Sequence, residues 1–209
     1  MKRTIEMENW NRKEHFDFFS QFEEPFFGIV VNIDCTKTYH SAKSEKTSFF
    51  LKYLHKILTA VNKVEEFKLR IEPEGVFCYD TIHVSSTIGR SDGTFAFSFM
   101  EYKADFNDFA AGAVDEINRV KNSSGIRFNE SAKRLDTIHF SSVPWVQFTA
   151  LTHPRNFGSK DSSPKITVGK IFNENEKIMM PLSIFAHHGL IDGYHIGKLI
   201  ELSQKLMDE

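Results

Sequence analysis

The sequence predicts an α/β protein in which apolar strands are interspersed with amphipathic helices. Apolar runs of strand length occur at 25–34 and 178–186. Apolar residues recur at helical spacing at 48–61 and 196–207, with lysines and glutamates between them. Because 209 residues is an ordinary domain length, we expect one domain spanning residues 1–209.

Composition excludes several classes of protein. The apolar fraction of 41% allows a substantial core, and the net charge of -2 gives no electrostatic reason to expect a nucleic-acid partner. No apolar run approaches the length of a membrane span, and the N-terminus lacks the apolar core of a signal peptide. The two cysteines, Cys35 and Cys78, have no CxxC spacing and are expected to be buried thiols. These features favour a cytoplasmic protein without membrane contact.

The first third of the chain predicts two helices, a strand and a hairpin. Residues 10–19 form the opening helix, with its phenylalanines packed inward, and 25–34 is a strand. The stretch 48–61 carries one apolar stripe with lysines outside it, which is typical of an amphipathic helix. Strands at 67–71 and 76–79 are joined through a Pro-Glu-Gly turn.

The middle of the chain continues this pattern. Strands are predicted at 81–88 and 94–100, with the sequence Arg-Ser-Asp-Gly turning between them. A helix follows at 103–119 and ends before an Asn-Ser-Ser-Gly sequence. Further strands are expected at 135–140 and 166–170.

The C-terminal part contains a strand, a sharp corner and a helix. After a polar loop at 154–164, the buried strand 178–186 leads to a turn bracketed by Gly189 and Gly193. We expect the glycines there because glycine adopts backbone conformations that other residues avoid. The helix 196–207 completes the chain.

Titratable side chains collect at this corner. His187 and His188 end the strand, and Asp192 lies in the turn. Neighbouring strand residues point to opposite faces, so the two histidines should not share one role. A histidine at a strand end is often only a packing residue, but the acid and the glycines favour a functional site.

A metal site is an alternative for the same corner. His188, Asp192 and His195 would share one face if the whole stretch were helical. The two glycines argue against a continuous helix, and no further ligand cluster lies nearby. We therefore expect no metal.

Four short motifs resemble those of the chloramphenicol acetyltransferases. The sequence from His187 to Gly193 is similar to the family's His-His-x-x-x-Asp-Gly motif. Trp-x-Arg-Lys-x-His-Phe occurs at 10–16, Pro-Trp-x-x-Phe-Thr at 144–149 and Thr-x-Gly-Lys at 167–170, in family order. The resemblance implies a two-layer α+β sandwich, with a large mixed sheet covered by helices on one side. It also implies a homotrimer whose active sites lie at subunit interfaces, with the histidine from one subunit and much of the acceptor pocket from its neighbour.

The resemblance also implies a reaction. An acetyl group would pass from acetyl-CoA, a co-substrate rather than a permanently bound cofactor, to a hydroxyl of a small molecule, in the first place chloramphenicol. The second histidine of the pair, His188, would be the general base, a role that suits a side chain with a pKa near neutrality. Asp192 would pair with Arg12 and hold the corner, because a carboxylate near buried strands needs a cationic partner.

Three more residues acquire expected roles through the resemblance. The thioester carbonyl oxygen needs a hydrogen-bond donor as it gains negative charge. The family serine in Pro-Trp-x-Ser-Phe-Thr matches Gln147, and Thr167 matches a family threonine near the same oxygen. Lys170 matches a family lysine near the coenzyme A entrance.

Glutamine in place of serine leaves a second function open. The chain is alternatively a family member with a different acceptor, or a non-catalytic small-molecule-binding or scaffold protein. In either case the Arg12 to Asp192 pair could persist for folding alone.

Overall fold

The computed structural model describes residues 1–155 and 161–209, so the predicted loop at 154–164 lies partly outside the described residues. The chain is an α+β protein. Its helices are α1 Lys13–Phe19, α2 Thr36–Ser44, α3 Phe49–Lys63, α4 Phe106–Lys121 and α5 Gly193–Met207. Short 3₁₀ helices lie at Met7–Asn9 and Glu65–Lys68.

Within the described residues, ten strands form two sheets. The strands are β1 Lys2–Thr4, β2 Phe26–Asp34, β3 Leu69–Glu72, β4 Gly75–Tyr79, β5 His83–Gly89, β6 Phe95–Met100, β7 Thr137–Val143, β8 Lys165–Gly169, β9 Phe172–Glu174 and β10 Lys177–His187. The larger sheet has the order β2-β10-β8-β7-β5-β6, with β9 also paired to β10. It is mixed, because β5, β7 and β8 run parallel while the β2, β10 and β6 pairings are antiparallel. The smaller sheet, β1-β4-β3, is antiparallel.

The core lies between the large sheet and the helices. Alternate residues of the central strands, such as Leu182 and Ile184 of β10 and Ile166 of β8, are at most 1% exposed and join one apolar cluster with α3 and α5. The side chains of the intervening residues, such as Ser183 and Thr167, point to the opposite face of the sheet. The large sheet therefore has an apolar, helix-covered face and a second face that carries hydroxyl groups.

Most predicted elements are confirmed, and the helix boundaries follow their caps. The predicted helix at 103–119 begins only at Phe106, because the Asp105 carboxylate accepts hydrogen bonds from the next two free amides and caps it there. Ser48 caps α3 in the same way. Helix α2 and strands β1 and β9 are not predicted by the sequence pattern. None of the helices within 1–155 and 161–209 combines the length and apolar character that a membrane crossing requires.

Candidate active site

The corner between β10 and α5 holds His187, His188 and Asp192. β10 ends at His187, a turn follows, and α5 begins at Gly193 with Asp192 as its N-cap. The expected reason for the glycines is wrong, because neither Gly189 nor Gly193 is among the positive-φ residues of the described chain. Gly189 is required by space instead, since a Cβ there would lie 3.1 Å from Cε1 of the His187 ring.

His188 is held on both sides by aromatic rings. Its imidazole stacks on Phe19 with ring centroids 4.0 Å apart and lies 4.3 Å from the ring of Phe27. The His188 amide donates to the carbonyl of Pro25 at 2.8 Å, and its own carbonyl accepts from Arg12 at 3.2 Å. Nδ1 is enclosed and has no hydrogen-bond partner among the described residues. Nε2 is therefore the ring nitrogen that a substrate can reach.

His187 occupies a different environment. The residue is 5% exposed, its ring meets Phe26 edge-on, and Nδ1 accepts from the Gly189 amide at 3.1 Å. Burial, followed by the charge of Arg155, lowers the pKa of His187 to about 4. The ring is neutral at neutral pH and packs inside the protein. The two adjacent histidines thus differ in surroundings, as the alternation of a strand predicts.

Arg12 and Asp192 form an ion pair at the corner between β10 and α5. Arg12 is 8% exposed and donates to Oδ2 of Asp192 at 2.5 Å. Oδ1 of Asp192 accepts from the Tyr194 amide at 2.9 Å, which caps α5. Burial alone would raise the pKa of Asp192, but the hydrogen bond and the positive charge of Arg12, together with the Tyr194 amide, lower it below its ordinary value. The carboxylate is ionised and links the helix start to Arg12.

The three residues of the metal alternative face different partners. His188 lies between two phenylalanines, Asp192 accepts from Arg12, and His195 lies in the first turn of α5 with Nε2 3.4 Å from Glu66. In the part of the chain that the structure describes, no three histidine, cysteine or acidic side chains form a group that could hold a metal ion.

Hydroxyl side chains line the face of the large sheet that is opposite the helix-covered face. Thr167 of β8 is paired in register with Ser183 of β10 on one side and with Ser141 of β7 on the other. Ser141 in turn lies 3.4 Å from the Thr87 hydroxyl of β5. Thr167 is 1% exposed, and its Oγ1 finds no partner among the described residues. The buried, unsatisfied hydroxyl of Thr167 can donate to a ligand on this face.

Gln147 lies in the loop after β7, not on a strand paired with that of Thr167. It is exposed, and no hydrogen bond to its side chain is found within the described ranges. The hydroxyl that neighbours Thr167 belongs to Ser141, which the sequence analysis did not select. Ser141 lies three residues before Pro144 of the motif, but its position beside Thr167 depends on a strand pairing that local sequence does not encode.

Lys170 follows β8 at the rim of the same face. The residue is exposed, and its amide donates to the carbonyl of Val146 at 2.8 Å. That loop also exposes the side chains of Trp145 (80%) and Val146 (50%). The rim thus combines a free ammonium group with an uncovered apolar surface.

One chain does not bring His188 and the hydroxyl face together. Ser183, the register partner of Thr167, precedes His188 by five residues, which is about 16 Å along a strand. His188 follows the last residue of β10 and lies in the turn, beyond the strand that carries Ser183. Consistent with this, the His188 ring lies against Phe27, whose register partner Ala186 belongs to the helix-covered core.

Comparison with known proteins agrees with this geometry over almost the whole chain. Residues 2–204 match the family described as chloramphenicol acetyltransferase. The chloramphenicol acetyltransferase of Clostridium butyricum is 30% identical over 206 residues, covering 97% of this chain and 93% of the relative. That of Proteus mirabilis is 27% identical over 207 residues, covering 99% and 94%. A solved chloramphenicol acetyltransferase structure has a TM-score of 0.93 and 32% identity, covering 99% of this chain and 100% of that one. The chain therefore belongs to the chloramphenicol acetyltransferase family.

Proposed function

We propose that this protein transfers the acetyl group of acetyl-CoA to a hydroxyl of chloramphenicol, with His188 as the general base. Membership of the family supports the reaction, and the relatives from Clostridium butyricum and Proteus mirabilis carry its name. The observation that carries the proposal is the placement of His188. Its ring is fixed between two aromatic rings and offers only Nε2 to a substrate.

The proposed step needs both substrates in one complex. Nε2 of His188 takes the proton of the acceptor hydroxyl while the hydroxyl oxygen attacks the thioester carbonyl carbon. The tetrahedral intermediate then expels the coenzyme A thiolate, which receives the proton from His188. No acyl-enzyme forms, and the acceleration comes from orientation of the two substrates together with proton transfer.

Thr167 and Ser141 are the proposed donors to the carbonyl oxygen. A charge-bearing oxygen in the transition state is stabilised by preorganised donors in a site that excludes water. Thr167 is buried with a free hydroxyl, and Ser141 lies next to it in register. Gln147, the residue on which the non-catalytic alternative rested, is exposed and is not needed in this arrangement.

A trimer with interfacial sites completes the proposal. His188 lies in the turn after β10, whereas Thr167 pairs with Ser183, five residues earlier in the chain, so we infer that a second copy supplies the hydroxyls that face His188. When one surface patch of a subunit binds a different patch of an identical subunit, the copies form a closed ring if the rotation between neighbours divides a full turn evenly. Three copies related in this way give the trimer that the family resemblance implies. The exposed Trp145 and Val146 beside the hydroxyl face are suited to such a contact.

Coenzyme A and the compartment belong to the same proposal. Lys170, exposed at the rim, would meet a phosphate of coenzyme A through its ammonium group. We place the reaction in the cytoplasm, where acetyl-CoA is available. Two buried, free thiols, Cys35 and Cys78, suit that reducing compartment.

Thiol release from acetyl-CoA is the direct test. Purified protein is incubated with acetyl-CoA and chloramphenicol, free thiol is followed with a chromogenic disulfide, and the acetylated product is identified by mass spectrometry. We expect release that depends on the acceptor and is absent in His188→Ala. Release at the same rate without any acceptor, or none with chloramphenicol and a panel of other hydroxyl compounds, would overturn the proposal. If thiol is released with another hydroxyl compound but not with chloramphenicol, the proposed acetyl transfer stands and the proposed acceptor is wrong.

A further inference from the structure

His195 forms a hydrogen-bonded box with the residue that caps α5. It is the third residue of the helix, and its Nδ1 lies 3.1 Å from the amide nitrogen of Asp192. The Asp192 side chain reciprocates by accepting from the first-turn amides. In such a box, each partner satisfies an amide that would otherwise lack an acceptor. Histidine replaces the glutamate or glutamine that usually fills this position.

The box requires one particular form of the His195 ring. Nδ1 can accept from the Asp192 amide only if the ring is neutral and carries its proton on Nε2. Nε2 lies 3.4 Å from Oε1 of Glu66, near enough for the negative charge of that carboxylate to favour a proton on Nε2. Nδ1 is also 2.9 Å from Oδ1 of Asp192, a contact that favours a protonated ring. Burial nevertheless lowers the pKa of His195, against the raising effect of Glu66 and Asp192, so the neutral form prevails at neutral pH. The charged groups that face the ring are Glu66, Asp192, Arg12 and Lys198.

From His195 a chain of contacts reaches the proposed base. Asp192, fixed by the box, accepts from NH1 of Arg12, and NH2 of Arg12 donates to the backbone carbonyl of His188. Arg12 is buried in close-packed surroundings. A displacement of the Asp192 carboxylate should therefore displace the Arg12 guanidinium and, with it, the backbone carbonyl of His188. We propose that His195 is a positioning residue for acetyl transfer, with Glu66 selecting its tautomer. This inference rests on the proposed role of His188.

His195 and Glu66 lie apart from the residues that are proposed to contact the substrates. Both line a cavity of about 740 Å³ bounded by the N-terminal segment, the 3₁₀ helix at Glu65–Lys68 and the start of α5. The rings around His188 and the hydroxyl of Thr167 are not part of its lining. Replacements at His195 should therefore change kcat and leave KM for both substrates unchanged.

The experiment compares two variants at His195 with a matched cap variant elsewhere. His195→Gln keeps an acceptor for the Asp192 amide, whereas His195→Leu removes it. We expect kcat within about threefold of wild type for Gln and roughly 10- to 100-fold lower for Leu, with unchanged KM values, because small displacements of a catalytic group have effects of this size. Asp105→Ala removes the cap of α4 and should lower the melting temperature without changing kcat. If His195→Leu behaves like Asp105→Ala, the inference is overturned.

Glu66 provides a second variant if His195→Leu does not fold. Glu66→Gln keeps an acceptor for Nε2 and should retain activity, and Glu66→Leu should lower kcat several-fold. Equal kcat in wild type and Glu66→Leu would overturn the tautomer selection. The ¹⁵N shifts of His195 test the tautomer without any substrate: the proton should reside on Nε2, and a proton on Nδ1 would contradict the inference. An inactive wild type with the Nε2 tautomer would instead locate the failure in the proposed function.

Discussion

Arg12 and Asp192 lie 180 residues apart in the sequence and form a hydrogen-bonded ion pair at the start of α5. Asp192 contributes twice, because it caps the helix and neutralises a buried guanidinium. Arg12 extends the contact to the carbonyl of His188. Stability and the geometry of the proposed base therefore depend on the same pair.

Removal of Asp192 should destabilise the protein as well as slow it. We expect Asp192→Ala to lower the free energy of unfolding by about 2–3 kcal/mol, less than a fully buried pair would give because the Asp192 side chain is 31% exposed. Asp192→Asn keeps the cap and loses the charge, so it should lie between Ala and wild type. Urea unfolding at fixed protein concentration measures both. An Asp192→Ala protein as stable as wild type would show that the pair is energetically irrelevant.

The two adjacent histidines should respond differently to alanine. His188→Ala removes the proposed base and should lower kcat by roughly 10² to 10⁴-fold with a nearly unchanged melting temperature. His187→Ala leaves the Gly189 amide without its acceptor and should lower the free energy of unfolding by about 1–3 kcal/mol. Kinetics and thermal unfolding of both variants check this. Equal loss of activity with unchanged folding in both would refute the division of roles.

Hydroxyl deletions should separate the two candidates for the oxyanion donor. Ser141→Ala and Thr167→Val should each lower kcat, by up to the order of 10²–10³ if that hydroxyl is the main donor. Gln147→Ala should change kcat little, because Thr167 and Ser141 are the proposed donors and no hydrogen bond of the Gln147 side chain is found in the described residues. The reverse pattern, with activity lost only in the Gln147 variant, would return the donor role to the position that the sequence motif suggested.

Stability should fall as the pH drops from about 6.5 to 4. Burial lowers the pKa of His139 and of His187 to about 4, so the unfolded chain, whose histidines titrate near 6.5, binds protons first. Each histidine then reduces the free energy of unfolding by up to about 1.4 kcal/mol per pH unit inside that window, and neither contributes a slope above it. Urea unfolding between pH 7.5 and 4.5 measures the slope, and His139→Gln should reduce it. A slope that is unchanged in His139→Gln would show that His139 does not titrate in this window.

Elements with a strong local pattern were predictable, and those held by tertiary contacts were not. The apolar stripe of α3 and the apolar run of β10 each indicate their secondary structure from local sequence alone. Helix α2 buries only Thr38 and Ala42, and it is fixed by distant partners, such as the bond from the Thr38 hydroxyl to the carbonyl of Met207. The sequence of α2 has no apolar periodicity that would predict a helix, so its stability depends on tertiary contacts.

The candidate site divides in the same way. The corner with His188 and Asp192 lies in one contiguous stretch, so its residue types and spacing revealed it. Ser141 and Thr167 are brought together only by the parallel pairing of β7 with β8. Local sequence does not encode that register, and the nearby motif directed attention to Gln147 instead.

Mixed trimers test the central claim most directly, namely that His188 of one copy faces the hydroxyls of another. His188→Ala and the double variant Ser141→Ala, Thr167→Val are each nearly inactive if both roles are correct. When the two are unfolded, mixed in equal amounts and refolded, about one quarter of the interfaces should join an intact His188 to intact hydroxyls in a ring of three. We predict activity near a quarter of refolded wild type, measured by thiol release. Activity no greater than the sum of the two separate variants, in mixtures shown by mass to contain both chains, would contradict the account.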